Sequence, residues 1–485
     1  MNIAQKIAWN TIVQGIGKVG MLFLSLLILW YITRYLGPEK FGVYNLIFVY
    51  LSFFNVLADL GLYTSTVREI SKDKNRADEI INNSITFRVI LSVIVIFAAI
   101  IFSFFLYGGE NNSEIRYGIA LVSITILFNL INTTMNAVFQ ANIKMGSVII
   151  SELSGRLVTL LLVVLIINSG GGLYQVLFVT AMGSLVTALL SIILVQRFIN
   201  IRPTINLRYG FGLFRKSIPL ALALLINIVY FKADTIIISL FRDNTEVGIY
   251  GLSYRLLEAS LIFPTFFIGS LFPVITDYAI NQPHKLKSFV QKAFDILVMA
   301  SIPLMAGGII ISEYLIKAVA GDKFWGSVFA FQILIAASPL IFINGLFGNM
   351  IIAKNREKEA LWLNILALLF NLSLNIIFIP IYGFITAAIV TLVSEIVIMF
   401  GAVYLIRKIY NFLPKMNIIP KVGVAAFIMA CFISLLKYIE ITKSFSIIME
   451  TLFFIFSGAL VYIIILYFLR LINKETIQLL IKRQI

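Results

Sequence analysis

The sequence predicts an all-α, polytopic membrane protein of about fourteen transmembrane helices. Of its 485 residues, 60% are hydrophobic and only 13% charged. A soluble globular chain carries about 45–50% apolar and about 25% charged residues. Mean hydropathy is +0.99 over the whole length, which leaves no room for a large soluble domain. Lipid is therefore the solvent for most of this chain.

A spanning helix needs about 20 mostly apolar residues. Runs of that kind lie at roughly 12–33, 43–66, 86–107, 118–140, 149–168, 174–196, 217–240, 248–275, 291–318, 327–353, 361–379, 383–407, 420–440 and 446–470. We refer to them as spans 1 to 14. The stretch before span 1, Met1 to Asn10, has neither a basic n-region nor a small-residue cleavage site, so span 1 reads as an uncleaved signal anchor. Gly37-Pro38, Gly108-Gly109, Gly170-Gly171-Gly172 and Pro380 to Gly383 mark turns between spans.

Loop charges give the orientation. One set of loops carries Lys6; Arg68, Lys72, Lys74 and Arg76; Lys144; Arg197, Arg202, Arg208, Arg215 and Lys216; Lys285 and Lys287. It continues with Lys354, Arg356 and Lys358; Arg407, Lys408 and Lys415; Lys474, Lys482 and Arg483. The alternate loops carry Arg34, Lys40, Arg116, Arg242, Lys323 and Lys443. Cytoplasmic loops collect Lys and Arg, so both termini are expected in the cytoplasm and the number of spans is expected to be even.

An internal repeat organises the spans. Phe41-Gly-Val-Tyr44 opens span 2 and Val247-Gly-Ile-Tyr250 opens span 8. Asn136 to Asn142 closes span 4 as Asn349 to Asn355 closes span 10, and Gly172 with Thr180 matches Gly383 with Thr391. The expected domains are an N-terminal lobe, 1–210, a C-terminal lobe, 211–412, and spans 13 and 14 with a cytoplasmic tail, 413–485. Parallel repeats of this kind predict a substrate path between two lobes.

Several function classes drop out. The formal net charge of +15 follows from cytoplasmic loops of a membrane protein and not from nucleic-acid binding. A single cysteine, Cys431, excludes an internal disulfide and a multi-cysteine metal site. The single histidine, His284, sits in a polar loop segment. No phosphate-binding loop and no Ser-His-Asp constellation is present, so neither a metal nor a cofactor is expected and the chain reads as a transporter and not an enzyme. Of the sequons at Asn82, Asn111, Asn132 and Asn371, only Asn111 falls in an outer loop.

Polar residues inside the spans fall on helical stripes. Span 1 aligns Asn10, Gln14, Lys18 and Ser25; span 2 aligns Asn45, Ser52, Asn55, Asp59, Tyr63 and Thr66. Span 4 aligns Thr125, Asn129, Asn132, Asn136 and Gln140. Span 7 aligns Asn227, Tyr230 and Asp234, with Lys232 on another face; span 8 aligns Arg255, Glu258 and Thr265. Span 11 aligns Asn364, Asn371 and Asn375; span 12 aligns Thr391, Ser394 and Glu395. The Asn stripes of spans 4 and 11 read first as hydrogen-bonding glue between helices. Ionisable groups cost about 2.5–3.5 kcal/mol each at membrane depth on insertion scales, so they mark a cavity or a partner. Asp59, Asp234, Arg255, Glu258 and Glu395 lie deepest. Lys18 either snorkels to the interface or faces a cavity. Arg88, Glu152 and Arg156 lie near the cytoplasmic end, and Glu152 with Arg156 has the i, i+4 spacing of a structural ion pair. Arg255 and Glu258, at i, i+3, neutralise each other in part.

The segment Thr33-Arg-Tyr-Leu-Gly-Pro-Glu-Lys-Phe-Gly-Val-Tyr44, with Leu57-Ala-Asp-Leu-Gly-Leu62 and Arg68-Glu69, resembles the polysaccharide transporter family, the Wzx-type flippases for O-antigen and other lipid-linked oligosaccharides. Asn371 to Gly383, followed by Ala387-Ala388 and Thr391, resembles the span 11–12 signature of the same family. Thr386 departs from it, standing where a second small Gly is commoner. The resemblance implies the multidrug/oligosaccharidyl-lipid/polysaccharide exporter fold, two six-helix lobes that alternate in access. It implies a polyprenyl-diphosphate-linked oligosaccharide as substrate, with membrane lipid beside it and a polymerase or ligase of the same glycan pathway as partner. The cationic, polar lumen would be lined by Lys18, Asn55, Asp59, Arg88, Arg156, Lys232, Arg255, Glu258 and Glu395. Asp234, Asn371, Asn375 and Thr391 occupy the places of a coupling Na+ or H+ site. The expected location is the cell (inner/plasma) membrane. A cation-coupled antiporter, a lipid II flippase and a membrane-embedded glycosyltransferase are the competing readings. The short outer loops disfavour the last.

Overall fold

The computed structural model describes residues 3–73, 76–109, 112–202, 204, 207–440 and 445–471, with side chains described from residue 13 onward except at 207–209, 216, 219 and 220. The side chains of Lys6, Asn10, Arg208 and Lys216 lie outside the described residues, as do Lys74, the Asn111 sequon, Lys443 and the tail with Lys474, Lys482 and Arg483.

Seventeen α-helices make up the described chain: α1 Ile3–Asp59, α2 Leu62–Lys72, α3 Ala77–Leu106, α4 Ser113–Val122, α5 Thr125–Ala141, α6 Met145–Asn168, α7 Leu173–Val195, α8 Leu207–Phe241, α9 Asn244–Ser260, α10 Ile262–Ile280, α11 Pro283–Ala320, α12 Ser327–Ala336, α13 Ser338–Ala353, α14 Glu357–Tyr382, α15 Phe384–Tyr410, α16 Ile418–Tyr438 and α17 Ile447–Phe468. There is no strand among the described residues. The helices form 13 apolar segments of spanning length, and the first, Val13–Lys72, is 60 residues long. Straight, at about 1.5 Å per residue, it would extend roughly 90 Å, three times the hydrocarbon thickness. Gly37, at φ 70° and ψ 178°, breaks it in two just before Pro38. A left-handed φ of this kind favours glycine. Fourteen spans result, as the sequence predicts.

Spans 2, 4, 8 and 10 are each interrupted, and the cause differs. In span 2, Leu60 and Gly61 both adopt left-handed φ, 44° and 71°, and separate α1 from α2. In span 8, Pro264 lacks the N–H that Ser260 would accept, and α9 ends there. In span 10, Pro339 frees the Ile335 carbonyl, which takes the Ser338 hydroxyl instead at 2.7 Å. Span 4 breaks at Ser123 and Ile124 without proline; the hydroxyls of Ser123 and Thr125 donate to Ala120 and Val122 carbonyls at 3.0 and 2.7 Å. Ile124 and Ala337 stand at the same offset as Asn136 and Asn349, so these breaks follow the repeat.

The chain divides into two compact units, Met1–Gly248 and Ile249–Ile485. In the first, α6 and α7 cross closely. A Cβ on Gly155 would collide with Thr187 Oγ1 and the Gly183 carbonyl, and one on Gly183 would collide with Thr159 Oγ1 and the Gly155 carbonyl. Small residues let membrane helices approach in this way. The connection between spans 6 and 7 is strapped to the start of α3. Asn82 donates to the Asn200 carbonyl at 3.0 Å and accepts from the Arg202 amide at 2.8 Å, while Asn83 accepts from the Thr204 hydroxyl at 2.8 Å.

In the second unit, α11 carries the terminal pair. Pro303 leaves the Met299 carbonyl without its helical donor, and the Tyr462 hydroxyl of α17 supplies one at 2.7 Å. Lys437 of α16 donates to the Ile310 carbonyl at 3.1 Å and Thr451 of α17 to the Tyr314 carbonyl at 3.1 Å. Behind these bonds Val422, Ala425, Met429, Phe454 and Tyr462 join one buried core with Val290 and Leu297 of α11. The opposite faces, with Phe427, Phe456 and Leu460, stay exposed. Apolar exposure on this scale marks a lipid-facing surface.

Candidate functional site

Two polar assemblies are built, one in each unit. In the first unit, the close fit of α1 on α6 sets the geometry. A Cβ on Gly17 would run into Ile149, and one on Gly20 would touch Leu153 at 3.5 Å. This brings Lys18 alongside Glu152, one turn before Arg156. Glu152 lies within electrostatic reach of both Arg156 and Lys18. The Arg156 guanidinium also donates to Ser25 Oγ on α1. Lys18 and Arg156 are exposed and Glu152 is half-buried.

A second set of charges adjoins this one. Arg88 on α3 is 1% exposed. Its guanidinium donates to Asp59 at 2.9 Å, to Thr134 at 2.8 Å and to Thr133 at 3.2 Å, and its Nε has no hydrogen-bond partner. Asp59 is the last residue of α1, at the break in span 2. Broken helices expose backbone groups that membrane transporters use around binding sites. Tyr63 donates to Gln140 and lies within electrostatic reach of Asp59, Glu152 and Arg88, so it connects the two sets. Asn129 donates to Asn55 at 3.4 Å. Asn129 and Gln140 are exposed, so the span 4 stripe presents polar atoms outward as well as between helices. On α8, Asp234 is buried and Lys232 half-buried.

In the second unit, Arg255 and Glu258 are half-buried on α9, and Thr265 turns its hydroxyl back onto the Leu261 carbonyl at the span 8 break, 2.7 Å away. The denser assembly joins α13, α14 and α15. Asn375 donates to Asn371 at 2.9 Å and Asn371 to Ser394 at 3.2 Å. Asn344 of α13 donates to the Glu395 carboxylate at 2.8 Å and to its carbonyl at 3.0 Å, leaving its own Oδ1 without a partner. Thr391 bonds the Ala387 carbonyl at 2.9 Å. Asn371, Asn375, Ser394 and Glu395 are all buried. The structure thus brings together Asn371 with Asn375, Asp59 with Arg88, and Lys18 with Arg156 around Glu152, and pairs Glu395 with Asn344. Asp234 belongs to the first unit and the three other expected ion-site residues to the second. Helical phase does not mark Asn344, Thr133 or Thr134 as partners. An amide at mid-span with apolar residues on both sides is a weak signal for Asn344, since span 10 also holds Gln332 and Asn349.

Outside the spans, the short turn after α8 holds a local pair: Arg242 donates to Glu246 at 2.8 Å, and that hydrogen bond raises the guanidinium above its ordinary pKa.

The profile of the polysaccharide biosynthesis protein family matches residues 3–279, more than half of the chain. The chain belongs to this family. A second profile, MatE, matches residues 219–377. Among curated relatives, the probable low-salt glycan biosynthesis flippase Agl15 of Haloferax volcanii is 20% identical over 79% of each chain. A putative O-antigen transporter of Shigella flexneri is 22% identical over 71% of this chain and 83% of its own. Among solved structures, the lipid II flippase MurJ superposes with a TM-score of 0.70 at 17% identity, covering 96% of this chain and 99% of its own. An inward-facing multidrug transporter of the MATE family gives 0.67 at 15% identity, covering 81% and 95%. At such identity these structures establish the fold alone. As a member of the polysaccharide biosynthesis protein family, the chain is a multi-pass membrane protein of transporter type.

Proposed function

We propose that this protein is a flippase that moves a polyprenyl-diphosphate-linked oligosaccharide from the cytoplasmic to the outer leaflet by alternating access. The observation that carries the reading is the set of exposed polar side chains in the first unit: the bases Lys18 and Arg156 on either side of Glu152, and the amides Asn129 and Gln140. Charges at membrane depth must face water or a charged ligand. A sugar diphosphate needs such a hydrated, cationic route, because hydrocarbon gives it no hydrogen bonds. Lys18 and Arg156 bind the diphosphate; Asn55 and the neighbouring amides take sugar hydroxyls. Asp59 and Arg88 hold one another and fix the break in span 2. Lys232 in the first unit, and Arg255 and Glu258 in the second, are further substrate contacts, each within its own unit.

The protein sits in the cell membrane with both termini cytoplasmic and works as lobes 1–210 and 211–412 with the terminal segment 413–485. Its product feeds a polymerase or ligase of the same glycan pathway. Asn371, Asn375 and Thr391 of the second unit serve the coupling Na+ or H+, and Asp234 serves it within the first. The relatives with flippase and O-antigen transporter names support the substrate class.

The test is deletion of the gene in its own host. Lipid-linked glycan should accumulate on the cytoplasmic leaflet, be cleared by the wild-type chain, and persist with Lys18→Gln or Arg156→Gln. Clearance by both variants would remove the proposed diphosphate site. The MatE match over residues 219–377 favours one second reading, a cation-coupled exporter of a small molecule. In that case deletion leaves the glycan untouched and changes the efflux of small cations instead.

A further inference from the structure

Glu152 is the one charged residue of the first unit's exposed face to which the reading above gives no task. It is a half-buried carboxylate set between two exposed bases on a membrane-spanning helix pair. The glycine contacts Gly17 on Ile149 and Gly20 on Leu153 fix the distance between its backbone and that of Lys18. Arg156 is held from the other side by Ser25. The carboxylate therefore lies within electrostatic reach of both bases. An ion pair meant only to lock α1 on α6 would be closed to solvent, as Arg88 and Asp59 nearly are, with side-chain exposures of 2% and 21%. Here both bases face outward.

We propose that Glu152 is a resident counter-ion, displaced from Lys18 and Arg156 by a phosphate or diphosphate ester and restored when that ester leaves. The inference rests on the reading of this face as an anion site. Two bases without a carboxylate would repel each other when empty and hold a polyanion too tightly to release it. A tethered carboxylate returns at high effective concentration. It lowers apparent affinity by the fraction of time it occupies the bases. The incoming diphosphate carries more charge than the carboxylate it replaces, so exchange still runs forward.

The experiment measures binding of inorganic pyrophosphate to the purified full chain in detergent by calorimetry, and glycan-lipid transport in reconstituted vesicles. Glu152→Gln should bind pyrophosphate about tenfold more tightly, in the usual range of coupling effects. In vesicles it should lower both the half-saturating substrate concentration and the maximal rate. Lys18→Gln and Arg156→Gln should lose pyrophosphate binding. Glu152→Asp, which keeps the charge but retracts it by one methylene, should fall between wild type and Glu152→Gln and serves if the latter does not fold. Unchanged or weaker binding by Glu152→Gln, with binding still lost in the lysine and arginine variants, overturns the counter-ion while leaving the anion site standing. Binding unaffected by either base overturns both.

Discussion

Two pairs of residues 206 apart in the two units carry opposite chemistry. Asp59 and Arg88 of the first correspond to Thr265 and Phe294 of the second. Where the first unit buries a guanidinium against a carboxylate and two hydroxyls, the second buries a phenyl ring that is 2% exposed. The helix pairs α6/α7 and α14/α15 differ in the same manner, 211 residues apart. Gly183 lets α7 press onto α6; Ser394 stands in its place on α15 and accepts from Asn371. Toward the connection between α14 and α15 the pair opens into an apolar groove of 530 Å3 lined by Leu374, Phe378, Tyr382 and Thr386 among others. One topology therefore tolerates either an ionic or an apolar plug at the span 2–3 contact, and either a glycine or a polar seam at the span 5–6 contact. The choice is a matter of what each unit does, since the fold is met both ways.

The largest effect should come from breaking the ionic plug on one side only. Arg88→Phe imports the second unit's residue and leaves Asp59 without its cation. Removing one partner of a buried pair costs about 3–5 kcal/mol. The double variant Asp59→Thr/Arg88→Phe copies the second unit at these two positions and should recover most of that loss in thermal unfolding. If the double variant is as unstable as the single one, the two positions are not interchangeable and the repeat comparison fails at this contact.

Gly183→Val should rank next. Its first carbon meets the Gly155 carbonyl and the Thr159 hydroxyl, neither of which is the end of a long flexible side chain. Overpacking of this kind costs about 1–3 kcal/mol. Unfolding temperature and protease resistance of the detergent-solubilised chain measure it. Near-wild-type behaviour would mean that α6 and α7 separate freely, and the contrast with α14 and α15 would vanish.

Much of the fold was legible because hydropathy in a membrane chain is a signal of length: fourteen runs, a charge bias and a repeat are readable without tertiary contacts. The interruptions of spans 8 and 10 were written in Pro264 and Pro339, and the Gly37 break in the Gly-Pro pair. The interruption after Asp59 was harder, because Leu60 has no sequence preference for a left-handed φ. For the site, helical phase named Lys18, Asp59, Asn371 and Asn375. It could not say that Arg88 would spend its guanidinium on Asp59, Thr133 and Thr134, because those partners come from other helices. Nor could spacing separate a locked ion pair at Glu152 and Arg156 from an open one; exposure and the approach of α1 decide that.

The smallest expected effect probes the polar seam itself. Ser394→Ala removes the acceptor for Asn371 and leaves that amide bonded only through Asn375 among the hydrogen bonds described above. A single neutral hydrogen bond is worth about 0.5–1.5 kcal/mol, so unfolding should shift by a few degrees at most. The informative reading is the ion dependence of transport. If Asn371 and Asn375 bind the coupling ion, loosening Asn371 should raise the half-saturating Na+ or H+ concentration by more than the stability change explains. If the seam is glue alone, stability and transport fall together and the ion dependence stays where it was. The second result would return the α14/α15 seam to the same role as the glycine contact of α6 and α7, packing with a different side chain.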